Sequence, residues 1–361
     1  MGKLRCCKMR VFAVVLGWMA LVVSVVLLVN LLSTDRVIYG MPPQHRRMVI
    51  SLSDEALAKI QEERQETVRK FCKANGIHPT SNVDPSLLDH LYVDDKHKLI
   101  YCKVPKVAST NFKRILVVAM GLVNTTDPMK ISGSDAHEKH FIPKLSSYSP
   151  EEVRYRLDTY FKFMFVREPL ERLVSAYRNK FTLPYSQYFQ KVFGRKIVYL
   201  YRKNATKDSL KKGNDVTFEE FIRYLTDAKK SSEQLNEHWR PFYRLCHPCV
   251  IQYDIIGKYE TLADDADYIL RMVGLDDILS FPTMPPRTGL STKERTLTMF
   301  QNLSPIDIHN LWELFSVDFA LFGYEYPHFK GVKSLPTAKI NTSKNKMVKV
   351  QKLTAKEKIK G

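Results

Sequence analysis

Between about residue 95 and His328 this 361-residue chain alternates short apolar runs with amphipathic stretches. HKLIYCKV and FKFMFV crowd their apolar residues together as buried strands do, whereas TNFKRILVVAMG places Phe112, Ile115, Leu116 and Ala119 at helical spacing before Gly121 ends the pattern. In REPLERLVSAYRNKF, Pro169 stands at an expected first helical position, and Leu170, Leu173, Val174 and Tyr177 share one face. Strands alternating with helices predict an α/β domain over 95–330, with a central, mostly parallel sheet flanked by helices. About 235 residues suffice for one domain with its own core, and no internal repeat divides them.

The N-terminal pattern is different. Val11 to Leu32 carries no charge, and at ~1.5 Å per residue it covers the ~30 Å core of a bilayer as a transmembrane helix. Lys3, Arg5, Lys8 and Arg10 precede it, so residues 1–10 are expected in the cytosol, 11–32 in the membrane as an uncleaved signal anchor, and the remainder in a lumen. Residues 33–94 then read as a stem with one helical segment: in SDEALAKIQEERQETVRKFCKAN, Ser53 is an expected N-cap, with acids in the first turn and cations in the last.

Charge extends this picture. The formal net charge is +18, and from Lys330 to Lys360 ten Lys stand against one Glu, so 331–361 is expected to be a basic, disordered tail. A basic body and a basic tail call for an anionic partner, which in a secretory lumen means acidic glycans or phosphorylated cofactors more readily than nucleic acid. Four N-x-S/T sequons, at Asn124, Asn204, Asn302 and Asn341, agree with that compartment. Cys6 and Cys7 lie at the cytosolic edge of the span, either palmitoylated or as plain thiols. Cys72, Cys102, Cys246 and Cys249 allow two disulfides of open pairing, and the lone C-x-x-C at 246–249 is read as contributing to them rather than as a zinc site.

Two loops carry candidate chemistry. PKVAS lies between a strand and a helix, where free backbone N–H groups and the helix dipole bind phosphate or sulfate, and Lys106, Ser109 and Thr110 add charge and donors. The loop has no glycine, so it is not the GxxxxGK[ST] nucleotide loop; the plainer alternative is a simple turn with Thr110 as N-cap. Arg167 follows the strand FKFMFV at the end where open parallel sheets bind ligands, and Ser175 lies roughly 9 Å up the next helix, near enough to share one phosphate. Two anion sites on neighbouring βα units call for a ligand with two anionic ends.

PKVASTNFKR followed by FMFVREPLERLVSAYRNKF closely resembles the paired cofactor-binding signatures of Golgi carbohydrate sulfotransferases, in the branch that contains the chondroitin and N-acetylgalactosamine 4-O-sulfotransferases. The resemblance continues through NEHW, LCHPC, YDIIGKYETL and DFALFGY, covering about residues 90 to 327. It implies a P-loop-like sulfotransferase domain on a Golgi membrane, with 3′-phosphoadenosine 5′-phosphosulfate as donor, no metal, and a glycosaminoglycan or other N-acetylgalactosamine-containing glycan as acceptor. It also implies that Pro105, Lys106, Val107, Ala108, Ser109, Thr110 and Asn111 hold the 5′-phosphosulfate. Arg167, Glu168, Pro169, Leu170, Glu171, Arg172, Leu173, Val174 and Ser175 would form the 3′-phosphate segment. Ser109 and Phe112 stand where that branch usually has Cys and Trp.

For the transfer itself, Lys106 is the expected stabiliser of negative charge on the bridging oxygen. Histidine is the side chain best tuned to remove a hydroxyl proton, and two regions compete: His137, with His140 nearby, in SDAHEKH, is the expected base, and His238 in NEHW is the second candidate. Glu237 and Glu260 are weaker candidates. The competing function class is a glycosyltransferase, supported by Asp265-Ala266-Asp267 as a metal-binding D-x-D string. That string sits in TLADDADYILRMVG, however, where Thr261 as cap, Asp264 in a T-x-x-D box and a buried stripe from Leu262 to Val273 predict an ordinary helix start.

Overall fold

Four strands form one sheet in the order β1, β2, β3, β4 in the computed structural model, which describes residues 52–138, 142–184, 186–227, 235–282, 289–327 and 329. β1 (Leu91–Asp94) runs antiparallel to β2 (Leu99–Cys102), while β2, β3 (Phe161–Val166) and β4 (Ile255–Lys258) are mutually parallel. The sheet is therefore mixed, a parallel trio extended by one antiparallel edge. Its strands are almost wholly buried, as expected where helices cover both faces.

The helices in chain order are α1 (Asp54–Ala74), α2 (Ser109–Ala119), α3 (Gly133–Glu138), α4 (Pro150–Thr159), α5 (Pro169–Tyr177), α6 (Arg195–Tyr201), α7 (Lys207–Lys212), α8 (Phe218–Thr226), α9 (Phe242–Cys246), α10 (Leu262–Met272), α11 (Thr292–Phe300) and α12 (Pro305–Phe322). The expected stripes face inward: Phe112, Ile115, Leu116 and Ala119 on α2, and Leu170, Leu173, Val174 and Tyr177 on α5, are all buried. Phe112 packs its ring 4.4 Å from Phe165 and 5.2 Å from Tyr101, so it fills an aromatic cluster on the sheet. A second apolar core, with Phe181, Phe221 and Trp239 among its residues, lies between α5, α8 and α12.

The folded unit begins well before residue 95. Ser53 caps α1 as expected, accepting from the Ala56 N–H, but α1 is no stem. Leu57, Val68 and Cys72 are buried, Gln61 Oε1 accepts from the Ile256 N–H of β4, and Cys72 is bonded to Cys249. β1 likewise joins the sheet from within the 33–94 segment, because its four-residue apolar run is too short to declare itself without its partner strand. The other disulfide, Cys102–Cys246, ties the end of β2 to the end of α9, which resolves the open pairing.

Asp265 is fully buried and accepts hydrogen bonds from Gln61, Arg64, Thr261 and the Lys258 N–H. Thr261 does not cap α10 with its side chain as the T-x-x-D reading expects; its hydroxyl donates to Asp265 instead. Asn124, Asn204 and Asn302 are exposed, while the Ser304 of the third sequon caps α12 by accepting from the Asp307 N–H. Among the described residues no helix is long and apolar enough to cross a membrane. The Val11–Leu32 span, the 331–361 tail, Cys6, Cys7, His140 and Asn341 lie outside the described residues.

Candidate active site

Because β2, β3 and β4 point the same way, the residues that follow them, Lys103, Arg167 and Tyr259, arrive at one edge of the sheet. A cavity of about 610 Å³ opens there, lined by these three together with residues of both loops. Such a volume suits a nucleotide-sized ligand.

The first loop achieves its shape without glycine. Lys106 (φ 75°) and Ala108 (φ 62°) both adopt the left-handed conformation, at a cost on the order of 1–3 kcal/mol each. Left-handed residues in a short turn aim successive N–H groups into one concavity, which is an anion nest. Ala108 is the N-cap of α2 and makes no side-chain cap bond, so Thr110 does not cap this helix. Pro105, Lys106, Ala108, Ser109, Thr110 and Asn111 line the cavity, whereas Val107 is fully buried in the apolar core.

The second segment divides by helical face. Arg167 is 4% exposed, its guanidinium lies 4.1 Å from the Tyr259 ring centroid, and Nη2 donates to Glu171 at 3.1 Å. Its Nε is buried without a hydrogen-bond partner, and the residue lines the cavity, where its positive charge fits an anionic ligand. Ser175 lines the same cavity. Glu168 instead caps α5 by accepting from the Glu171 N–H, and burial pushes its carboxyl up to about 7. Pro169, Leu170, Leu173 and Val174 face the core. Arg172 is also turned away from the cavity: at 1% exposure it donates to the carbonyls of Pro105 (3.1 Å), Arg240 (2.8 Å) and Glu237 (2.8 Å).

Both histidines that the sequence singles out reach the cavity. His137, on α3, has Nε2 3.1 Å from the Thr110 hydroxyl and Nδ1 3.5 Å from Lys113 Nζ; burial, then Lys113 and Lys103, pull its pKa down to about 4. His238 donates from Nδ1 to Asn236 Oδ1 at 2.7 Å, which leaves Nε2 as the acceptor of the neutral ring. Burial, then Lys180, holds it well below the ordinary histidine range. Glu237 accepts from Lys103 through both oxygens at 2.8 Å; burial works to raise its pKa, but Lys103 prevails and holds the carboxyl down at about 2. Glu260 does not line the cavity and is occupied structurally, accepting from the Glu168 N–H and the Tyr324 hydroxyl.

The model of the sulfotransferase family matches residues 89–325, and 46% identity over 283 residues links the chain to carbohydrate sulfotransferase 11 of Rattus norvegicus, covering 78% of this chain and 80% of that one. The chain belongs to the sulfotransferase family. Carbohydrate sulfotransferase 14 of Danio rerio is 44% identical over 74% of this chain and 72% of its own, and carbohydrate sulfotransferase 10 of Homo sapiens is 37% identical over 74% and 76%. No solved structure matches. This sulfotransferase is thus an enzyme of the carbohydrate class, and its family implies 3′-phosphoadenosine 5′-phosphosulfate as donor.

Sequence reasoning missed Lys103, Arg114, Asn179, Lys180 and Tyr259 in the cavity wall of this sulfotransferase. Three of them left signals. Lys103 and Tyr259 directly follow parallel strands, and Asn179 lies four residues beyond Ser175, one turn further along the same face.

Proposed function

We propose that this chain is a type II Golgi membrane sulfotransferase that transfers sulfate from 3′-phosphoadenosine 5′-phosphosulfate to the 4-hydroxyl of N-acetylgalactosamine in chondroitin or dermatan. Residues 1–10 would face the cytosol, 11–32 would anchor the chain, and the basic 331–361 tail would follow the catalytic unit. One observation carries the catalytic reading. The two candidate anion-binding segments, some sixty residues apart in the chain, open into one cavity whose wall, among the described residues, holds five cationic side chains, Lys103, Lys106, Arg114, Arg167 and Lys180, against the single carboxylate of Glu237. Such a wall suits a ligand with anionic groups at both ends, the nest at 105–111 taking the phosphosulfate and Arg167 with Ser175 taking the 3′-phosphate.

The donor supplies a sulfuryl group attached to a phosphate leaving group. A sugar hydroxyl oxygen forms the new O–S bond as the S–O bond to phosphate breaks, and the hydroxyl proton passes to a base. Lys106 opposes the charge that grows on the departing oxygen. Between the two histidines the tautomers discriminate. His137 has both ring nitrogens occupied, by Thr110 and Lys113, whereas His238 keeps Nε2 available as an acceptor. This favours His238 as the base and makes His137 an orienting group for the first loop.

The test is to incubate the full-length chain with labelled donor and a panel of desulfated glycans, then to map the product disaccharides. Label at position 4 of N-acetylgalactosamine is expected. Product carrying sulfate only at position 6 refutes the acceptor, and a preference for N-glycan N-acetylgalactosamine over chondroitin moves the acceptor to that class.

A further inference from the structure

Beside the cavity lies a helical segment whose outer face exposes several large side chains. From Gln187 the chain runs through one α turn, a π-helical turn at Gln190–Gly194, and α6. Its inner side buries Gln190, Gly194, Ile197 and Val198. Its outer side exposes Tyr188 (65%) and Tyr199 (75%), with Val192 and Leu200 also exposed and Lys191 and Lys196 set among them. π-Helical turns inside α-helices occur frequently at functional sites. The segment is also firmly seated, since a Cβ on Gly194 would stand 2.0 Å from the Gly213 carbonyl oxygen, a backbone approach that only glycine permits.

The exposed face continues the cavity. Lys180 lines the cavity and holds its ammonium 4.2 Å from the Phe189 ring centroid. Phe189 in turn lies 5.0 Å from the His238 ring and 5.4 Å from Tyr188. An unbroken path of aromatic and cationic groups therefore leads from the reacting end of the site onto the helix. From Tyr188 to Tyr199 it rises roughly 16 Å at ~1.5 Å per residue, longer than one sugar ring.

We infer that the face formed by Tyr188, Lys191, Val192, Lys196, Tyr199 and Leu200 is an acceptor subsite, holding the sugar rings of an anionic polysaccharide that flank the residue under sulfation. The inference rests on the proposed function and specifies where the rest of the acceptor runs. Pyranose rings present a C–H face, which packs on the electron-rich face of tyrosine. Tyrosine offers large, rigid contact area at low entropic cost. Carboxylates repeating along the chain meet Lys191 and Lys196, and the seated helix loses little further freedom on binding. A basic, apolar helix face also suits an anionic lipid surface. Continuity with Phe189, Lys180 and His238 favours the glycan.

The experiment compares detergent-solubilised full-length wild type with a Tyr188→Ala/Tyr199→Ala variant and a Lys191→Glu/Lys196→Glu variant, using desulfated chondroitin chains and a short N-acetylgalactosaminide as acceptors. Each variant is expected to raise KM for the long chain about 10-fold, the scale of losing an interfacial aromatic anchor, with kcat and KM for the short acceptor unchanged. The lysine effect should shrink as salt rises while the tyrosine effect persists. Unchanged KM on long chains overturns the subsite. So does loss of binding to phosphatidylcholine–phosphatidylserine vesicles with KM unaltered, which would assign the face to a membrane. Failure of the proposed function shows separately, as wild type that transfers sulfate to no glycan; retention on immobilised desulfated chondroitin then judges the subsite without turnover, standing if the variants elute earlier than wild type and falling if they do not.

Discussion

Replacing Arg172 by Met should weaken both the fold and nucleotide binding, although the side chain never touches the cavity. Its guanidinium joins three segments: the Pro105 carbonyl at the start of the first loop, the Glu237 and Arg240 carbonyls beside the histidine, and α5 itself. It also lies 4.5 Å from the Phe242 ring centroid. Met keeps the packing volume but leaves three carbonyls without this donor, that of Pro105 buried and those of Arg240 and Glu237 partly buried, each worth up to ~1–3 kcal/mol. Removing a buried charge returns part of that, so the net loss should be about 3–5 kcal/mol, the range seen when one partner of a buried charged network is deleted. Pro105 precedes the strained Lys106, so a released loop should also spend less time as a nest, lowering affinity for 3′,5′-bisphosphoadenosine about 10-fold. Urea unfolding of a secreted form beginning at residue 52, with calorimetric titration of the nucleotide, measures both. Arg172→Lys should recover part of the stability, since an ammonium reaches fewer of the three carbonyls. Stability within about 1 kcal/mol of wild type would refute the bookkeeping. Reduced stability with unaltered affinity would show that Arg172 supports the fold without shaping the loop.

Arg167→Ala and Ser175→Ala should each reduce retention on immobilised 3′,5′-bisphosphoadenosine, with Arg167→Ala costing ~1.5–3 kcal/mol for a lost charge-assisted contact; retention equal to wild type in both would remove the 3′-phosphate assignment. Lys106→Ala should lower turnover far more than nucleotide affinity, and His238→Ala should lower it by ~10²–10⁴ with a smaller effect from His137→Ala; the reverse order of the histidines returns the base to His137. Asp318 is fully buried, and burial raises its carboxyl to about 7 against roughly 3.9 unfolded, so between those values the folded state holds the extra proton and stability falls as pH rises; Asp318→Asn should flatten that slope in unfolding measured from pH 4 to 7.5. Sulfate transfer should persist in excess EDTA because Asp265 is already engaged by Arg64, Gln61 and Thr261; loss of transfer restored by manganese would revive the glycosyltransferase reading.

Periodicity made the local elements legible, and the reasons are particular. FKFMFV is β3 residue for residue because a central parallel strand is buried on both faces and shows a continuous apolar run. Ser53, Pro169 and Gly121 marked helix ends because caps, ring-fixed φ and positive φ are local demands. What lay beyond reach was tertiary. Asp265 looks like any first-turn acid until Arg64, some two hundred residues earlier, is brought against it. Arg172 falls inside the resembling segment and sits three residues before Ser175, yet helix geometry sends one side chain to the interior and the other to the cavity wall. Lys103 and Tyr259 converge on Arg167 only once three strands share a direction.

The first loop shows why those long-range contacts matter to chemistry. A glycine-rich loop adopts positive φ freely and is ordered by its ligand, whereas here Lys106 and Ala108 hold positive φ against their own side chains. Such strain persists only where surrounding structure over-determines the backbone. Three constraints converge on this stretch: Arg172 fixes the Pro105 carbonyl, Val107 is sunk in the core, and the Cys102–Cys246 bond closes a 144-residue separation just upstream. In the chain-entropy picture a crosslink over more than a hundred residues is worth about 4–5 kcal/mol, comparable with the cost of two strained residues. The nest is therefore formed before any ligand arrives, and a Lys takes the place that a flexible Gly would occupy. A Lys at this position puts a cation at the centre of the loop, which in the proposed reaction would face the charge that grows on the departing oxygen, where a glycine could contribute only its N–H.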